Sequence, residues 1–276
     1  MMIIVLKKLI ILNVNLFVFV MNQNSEILRN SQKYFSWIIN KPIAHRGLHN
    51  LNGTPENSIS AFEKAIVLNI PIELDLQLTK DEKLIVFHDE NFTRMTGYNA
   101  DVNVTSWDDV KELKLRGTNE KIPLFKDVLE LVGNRVPLLI ELKNFGRAGK
   151  FEQIVKETLK KYDGKFAIQS FNPLSIRWLK INAPEILRGQ IASRFRDEQI
   201  PRCYKYLLKN LTFNLSTKPD FINYNIDDLP YLPVGLLRKQ GIPVLGWTVK
   251  NESQLSKAKQ LCDNFVFEDL EPTKII

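Results

Sequence analysis

The sequence predicts a (β/α)8 TIM barrel carrying a small insertion after the hairpin at its second strand. Three observations predict it. Short apolar runs alternate with amphipathic helical stretches, 276 residues suit one such barrel, and four apolar runs end in charged or imidazole side chains. Composition narrows the function classes. Hydrophobic residues make up 44% and charged residues 25%, as in a folded globular protein. The 38 Lys and Arg are interspersed with 31 Asp and Glu, so the net charge of +7 suits an anionic small ligand and does not mark a nucleic-acid surface. Cys203 and Cys262 are far apart, match no metal spacing and read as reduced thiols.

Taken in order, the chain opens with Lys7-Lys8 and the apolar run Leu9 to Met21, which has the charged and apolar regions of a signal peptide. At 13 residues the run is short for a membrane span, Asn13 and Asn15 interrupt it, and no small-residue cleavage site follows. Export, a weak anchor and a translation start at Met21 all fit residues 1–21. The reading adopted is a cytoplasmic protein starting near Met21, with membrane contact only through residues 1–21 and residues 22–276 as a single domain. An amphipathic lead-in, Ile27 to Asn40, precedes the strand candidates Pro42–His45, Ile72–Leu78, Leu84–His88, Pro137–Leu142, Lys165–Phe171, Leu187–Ala192, Phe221–Asn225, Pro243–Val249 and Asn264–Phe267. Helical patterns such as "SISAFEKAIVL", "LFKDVLELV" and "FEQIVKETLKKY" lie between them. Nine candidates exceed a barrel's eight by one. The gap Thr79 to Glu82 is too short for a crossover helix, so Leu74 to Asp89 reads as an antiparallel hairpin. With Leu78 opposite Lys83, His88 falls opposite Glu73, on the face of Glu73 and Asp75; a one-residue slip would turn it away. Residues 91–121 fit no regular βα unit and read as an insertion beside the rim, with a short helix from Trp107 to Leu113.

Polar residues end strands that are otherwise apolar: His45-Arg46 after "PIA", Glu73 and Asp75 in "IELDLQ", Glu141 and Lys143 in "LLIELK", and His88 after "LIVF". The carboxyl ends of barrel strands form the active-site face. An outward-facing edge strand would also group Glu73 with Asp75, and Glu141 with Lys143 could be a structural ion pair. Four such strand ends in one chain favour a shared site. Glu73, Asp75 and Glu141 offer hard oxygen ligands suited to a divalent cation, Mg2+ or Ca2+, while nothing in the spacing asks for zinc. His45 and His88 could act as general acid and base, and Arg46 and Lys143 could neutralise phosphate oxygens. The set is that of a metal-assisted phosphodiesterase. His49 reads as a loop residue.

The segments "AHRG…PENSISAF", "IELDLQLTKDEKLIVFHDENFTRMTG", "IPLFKDVLEL", "LLIELK", "IQSFNP" and "LGWTV" resemble, in order, the motifs of the glycerophosphodiester phosphodiesterase family. The resemblance runs from about Pro42 to Asp269, more than four-fifths of the chain. It implies a TIM barrel with an insertion after the His-Asp motif, and hydrolysis of a small glycerophosphodiester to sn-glycerol 3-phosphate and an alcohol with a divalent cation. Carried over by motif, His45 and His88 are the acid/base pair, and Glu73, Asp75 and Glu141 hold the metal. Arg46 and Lys143 hold the phosphate, Asn57 of the Pro-Glu-Asn triplet touches the substrate, and Glu56 supports the loop. Phe171 and Trp247 wall the glycerol or alcohol pocket. The chain departs from the pattern at Leu48-His49, where small residues are common, and at Glu268, where a Thr-Asp pair is commoner. A phospholipase acting on lysolipids or inositol lipids is the competing enzyme reading. A catalytically dead binding module had no reason to keep His45, Glu73, Asp75, His88 and Glu141 together.

Overall fold

The computed structural model describes residues 36–50 and 53–275. Nine strands form one sheet: β1 (Ile43–Ala44), β2 (Ile72–Leu78), β3 (Leu84–Val86), β4 (Leu138–Leu142), β5 (Phe166–Ser170), β6 (Arg188–Ala192), β7 (Phe221–Asn225), β8 (Val244–Val249) and β9 (Asn264–Phe267). Every neighbouring pair is parallel except β2 with β3, and β1 pairs with both β9 and β2. Eight strands therefore close into a barrel, and the surplus strand is the antiparallel arm β3. Because β1 is two residues long, the upper half of β2 has a free edge on that side, which β3 occupies.

The alternation of side chains along each strand sorts the molecule into layers. Ile72, Leu74 and Leu76 of β2 and Leu138, Ile140 and Leu142 of β4 face outward into the main core. There they pack with residues of the helices Ile59–Val67 and Phe125–Val132, such as Phe62, Ala65, Phe125 and Val128. Inside the barrel, Ile43, Leu139, Ala167, Phe221, Leu245 and Val266 form a second apolar cluster, joined by Trp37 and Ile38 of the helical residues 36–40. Two residues further along each of these strands, on the same inward face, stand His45, Glu141, Gln169, Asn223, Trp247 and Glu268. The barrel interior is apolar at its base and polar towards the strands' carboxyl ends.

The hairpin differs from expectation in register. Leu78 pairs with Leu84, not Lys83, and the connecting turn spans Thr79 to Lys83, closed by Thr79 N–H to Lys83 O at 3.0 Å. Glu82 takes a left-handed backbone (φ 64°), which gives the turn its extra residue. The predicted slip consequence for His88 does not follow, because β3 ends at Val86 and His88 lies beyond the ladder. There Gln77 Nε2 donates to Phe87 O at 3.3 Å and also to Asp89 O, so one side chain of β2 pins the backbone on both sides of His88.

Between β3 and the helix Phe125–Val132 the chain makes helices Thr93–Thr96 and Trp107–Val110 and a 3-10 turn, Val102–Val104. The second helix stops at Val110, not Leu113, as the chain turns towards the bridge Lys114↔Lys121. These residues have a small core of their own, in which Phe92, Met95, Val102, Val110 and Leu115 pack on Ile85 and Phe87. Residues 1–21, and with them the export, anchor and start-site alternatives, lie outside the described residues. Among the described residues no helix is long and apolar enough to cross a membrane.

Candidate active site

The first strand gives the site its sharpest turn. His45 N–H donates to Phe267 O at 2.9 Å, after which Arg46 adopts φ 53° and Gly47 φ 79°. A left-handed residue other than glycine costs about 1–2 kcal/mol. Here the turn aims the Arg46 N–H at Glu73 Oε2, 3.0 Å away. Gly47 is required for a second reason: a Cβ there would lie 2.9 Å from Ala61 and from the Phe62 ring. The next turn follows from "PENS". Ser58 Oγ–H donates to Pro55 O at 2.7 Å, and the same oxygen accepts from Ala61 N–H, capping the helix Ile59–Val67. Asn57 (φ 55°) is thereby held against β2, with Nδ2 on Asp75 Oδ2 at 2.9 Å.

Asp75 and Glu141 are direct neighbours on the β2–β4 ladder, and Glu73 precedes Asp75 on the same inward face. Glu73 and Asp75 are each 1% exposed, and oxygens of all three carboxylates lie within 4.8 Å of one another. Three adjacent buried anions are costly unless cations compensate them. Burial, and then the charges of Asp75 and Glu141, push the Glu73 carboxyl well above the usual range. Burial also raises Glu141, against the opposing pull of Lys143, whose Nζ lies 2.8 Å from Glu141 Oε1. Asp75 goes the other way: burial would raise it, but Lys143 and Arg46 hold it down. Even so, Asp75 Oδ1 has no hydrogen bond, with Lys143 Nζ 3.7 Å away and Arg46 Nε 3.2 Å from the other carboxylate oxygen. An all-oxygen donor set with an orphaned buried oxygen and an electrostatic deficit fits a hard divalent cation.

Both histidines border one cavity of about 290 Å³, together with Arg46, Glu141 and Lys143. Phe171 and Trp247 form its apolar wall, edge to face with centroids 5.4 Å apart. Each imidazole has its Nδ1 on a carboxylate: His45 on Glu268, and His88 on Asp89 at 2.7 Å. An ionised carboxylate can only accept, so Nδ1 carries the proton and Nε2 of each neutral ring is left with a lone pair. Burial lowers the His45 pKa, partly offset by its bond to Glu268.

Of the ten site residues expected from sequence, the structure gathers nine around the carboxylate cluster and its cavity. The tenth, Asn57, is buried behind Asp75, to which its amide donates, and it is not among the residues that border the cavity. Glu56 supports the loop as read, accepting from Arg46 Nη1 at 2.7 Å. Four residues were missed. Gln77 pins the His88 turn, and Asp89 and Glu268 orient the imidazoles. Arg94, from the insertion, bonds Glu56 at 2.6 and 2.9 Å and Asp89 at 2.5 and 2.9 Å. Asp89 was legible as the neighbour of His88, and Glu268 as the residue two beyond Val266 on an inward face. Nothing in the sequence signalled Arg94. His49 remains a loop residue, but its Nε2 comes 3.6 Å from Glu268 Oε2.

An acidic centre flanked by two oriented imidazoles, at the carboxyl ends of barrel strands, defines a class of hydrolase site for phosphate esters. The chain belongs to the glycerophosphoryl diester phosphodiesterase family, whose profile matches residues 45–269. It is 31% identical over 245 residues to the glycerophosphodiester phosphodiesterase of Caldanaerobacter subterraneus subsp. tengcongensis, covering 83% of this chain and 94% of that protein. It is 32% identical over 128 residues to human lysophospholipase D, 42% of this chain and 38% of that one. In fold it is similar to an Oleispira antarctica phosphodiesterase solved in complex with the product sn-glycerol-3-phosphate. The TM-score is 0.73 at 24% identity, covering 88% of this chain and 97% of that one.

Proposed function

We propose that this protein hydrolyses small glycerophosphodiesters to sn-glycerol 3-phosphate and an alcohol, using His45 and His88 as the two proton carriers. The observation that carries the reading is the pair of imidazoles, each fixed at Nδ1 by a carboxylate, bordering one cavity with Arg46 and Lys143. Nε2 of one neutral ring takes the proton of the attacking hydroxyl, and the other ring, which enters the step as an imidazolium protonated at both nitrogens, gives its Nε2 proton to the leaving alcohol oxygen. The attacking hydroxyl is either the glycerol hydroxyl beside the phosphate, which gives a cyclic product first, or water. Arg46 and Lys143 neutralise non-bridging phosphate oxygens. Phe171 and Trp247 exclude water from one side of the cavity. Glu73, Asp75 and Glu141 would hold Mg2+ or Ca2+, which supplies Lewis-acid polarisation of the phosphoryl group. The same reading takes residues 22–276 as one barrel domain working in the cytoplasm on a small-molecule substrate. Release of glycerol 3-phosphate from glycerophosphocholine and glycerophosphoethanolamine, with Mg2+, Ca2+ or EDTA, tests it. No release from either substrate with either metal would defeat the proposal.

One observation favours a lysolipid as a second substrate class. Phe145, Leu174 and Leu232, which follow β4, β5 and β7 on the same end of the barrel as the site, are 63, 48 and 74% exposed. Apolar side chains there could meet an acyl chain. Faster turnover of lysophosphatidylcholine than of glycerophosphocholine would favour this reading, and the reverse would remove it.

A further inference from the structure

We propose that Glu268 is a positioning residue that fixes the tautomer and orientation of His45, with Lys250 holding Glu268 in place. The inference rests on the acid/base role given to His45 under the proposed function and adds to it a residue that the family pattern does not supply. The ladder makes the contact: Ala44 pairs with Phe267, so the residues after β1 and β9, His45 and Glu268, emerge side by side. Glu268 N–H donates to Val249 O at 3.1 Å, which ties its backbone to the end of β8 as well. Its side chain is 10% exposed and divides its oxygens between two neighbours. Oε2 accepts from His45 Nδ1, with His49 Nε2 3.6 Å away, and Oε1 meets Lys250 Nζ. Lys250 neutralises the carboxylate and limits its rotation, while the bond to His45 holds the proton on Nδ1. A threonine at 268 would be too short and uncharged, so the Leu48-His49 loop and Glu268, the two departures from the family pattern, meet in one cluster.

The same three groups, His45, His49 and Glu268, have nitrogen and carboxylate donors within 4.8 Å of one another, a set that could also bind a transition metal. The direct hydrogen bond between His45 and Glu268 leaves no room for an ion between them, and the cations Arg46 and Lys250 flank the group. The hydrogen-bonded pair is therefore the reading the geometry favours.

The test combines kinetics with a readout independent of turnover. Glu268→Thr and the near-isosteric Glu268→Gln are expected to lower kcat roughly 10- to 100-fold with KM within about twofold, and Glu268→Asp to recover part of the loss, as for other groups that orient a working imidazole. Unchanged kcat in both variants would overturn the proposal. So would a KM rise that accounts for the whole loss. Proton NMR of the full chain should show a low-field Nδ1–H resonance that disappears in His45→Ala and in Glu268→Gln. Its absence from the wild type would overturn the proposal whatever the substrate. A wild type that shows the resonance but cleaves no glycerophosphodiester would instead sink the proposed function. One equivalent of tightly bound Zn2+ that is lost in His49→Ala would replace the hydrogen-bonded pair by a metal site.

Discussion

The two halves of the site reach the same end by different means. His45 is 15% exposed and takes its carboxylate from Glu268, 223 residues away, through the ladder that closes the barrel. His88 is 30% exposed and takes its carboxylate from the next residue, with the pair clamped from outside by Arg94 of the insertion. One half is built by barrel closure and the other by a local turn plus an excursion. Closure cannot be altered without disturbing the whole sheet, whereas the insertion can be cut back residue by residue. The His88 half is thus the part of the site most open to change.

His45→Ala and His88→Ala are each expected to cost 10²-fold or more in kcat. Near-full activity in either would break the equivalence of the two halves. Removing the divalent cation with EDTA should abolish turnover, and adding it should raise Tm. At a free concentration 100 times its Kd the gain is about 2.7 kcal/mol. Glu73→Gln should also abolish turnover while raising Tm of the cation-free protein, since it removes the anion that burial and its neighbours disfavour most. A fall in Tm would mean that the carboxylates are held by something other than a cation.

Smaller effects separate the halves. Arg94→Ala should lower kcat about 10-fold by loosening Asp89 and Glu56. Combined with Glu268→Gln its effect should multiply, because the two clamps share no side chain; non-additivity would join what the geometry keeps apart. Acid sharpens the half built by barrel closure. Burial would raise the Glu268 carboxyl, but its bonds to His45 and Lys250 hold it well below the ordinary 4.5. The stability this contributes is therefore fully present above about pH 4.5 and is lost as pH falls through the lower native value. The Tm gap between wild type and Glu268→Gln should be constant near neutrality and close only in strong acid. A gap that widened in acid would reverse the sign. The mildest test concerns the thiols: Cys262 is buried and pushed up to about 12, so a thiol reagent at pH 8 should label the exposed Cys203 alone.

Strand positions were legible because each barrel strand is a short apolar run with polar punctuation, and three of nine, β2, β7 and β9, match the expected bounds at both ends. The hairpin register was not, since its turn holds five residues by a left-handed Glu82 that no residue type announces. Local chemistry was equally legible: Glu73, Asp75, Glu141 and Lys143 share faces by period two, and His88 lies beside Asp89. The bond from Asn57 to Asp75 was not legible, because tertiary packing alone brings the Pro-Glu-Asn turn against β2.

By itself the sequence determined the alternation that makes parallel βα units, the inward-facing acids, and the two imidazoles, because these depend on periods of two and of three to four residues. Only the tertiary structure decided which carboxylate serves His45 and which arginine clamps His88. Glu268 meets His45 through the pairing of the first and last barrel strands, and Arg94 meets Asp89 and Glu56 through the path of the insertion. Contacts between residues remote in the chain are set by closure and packing, and no short-range pattern encodes them.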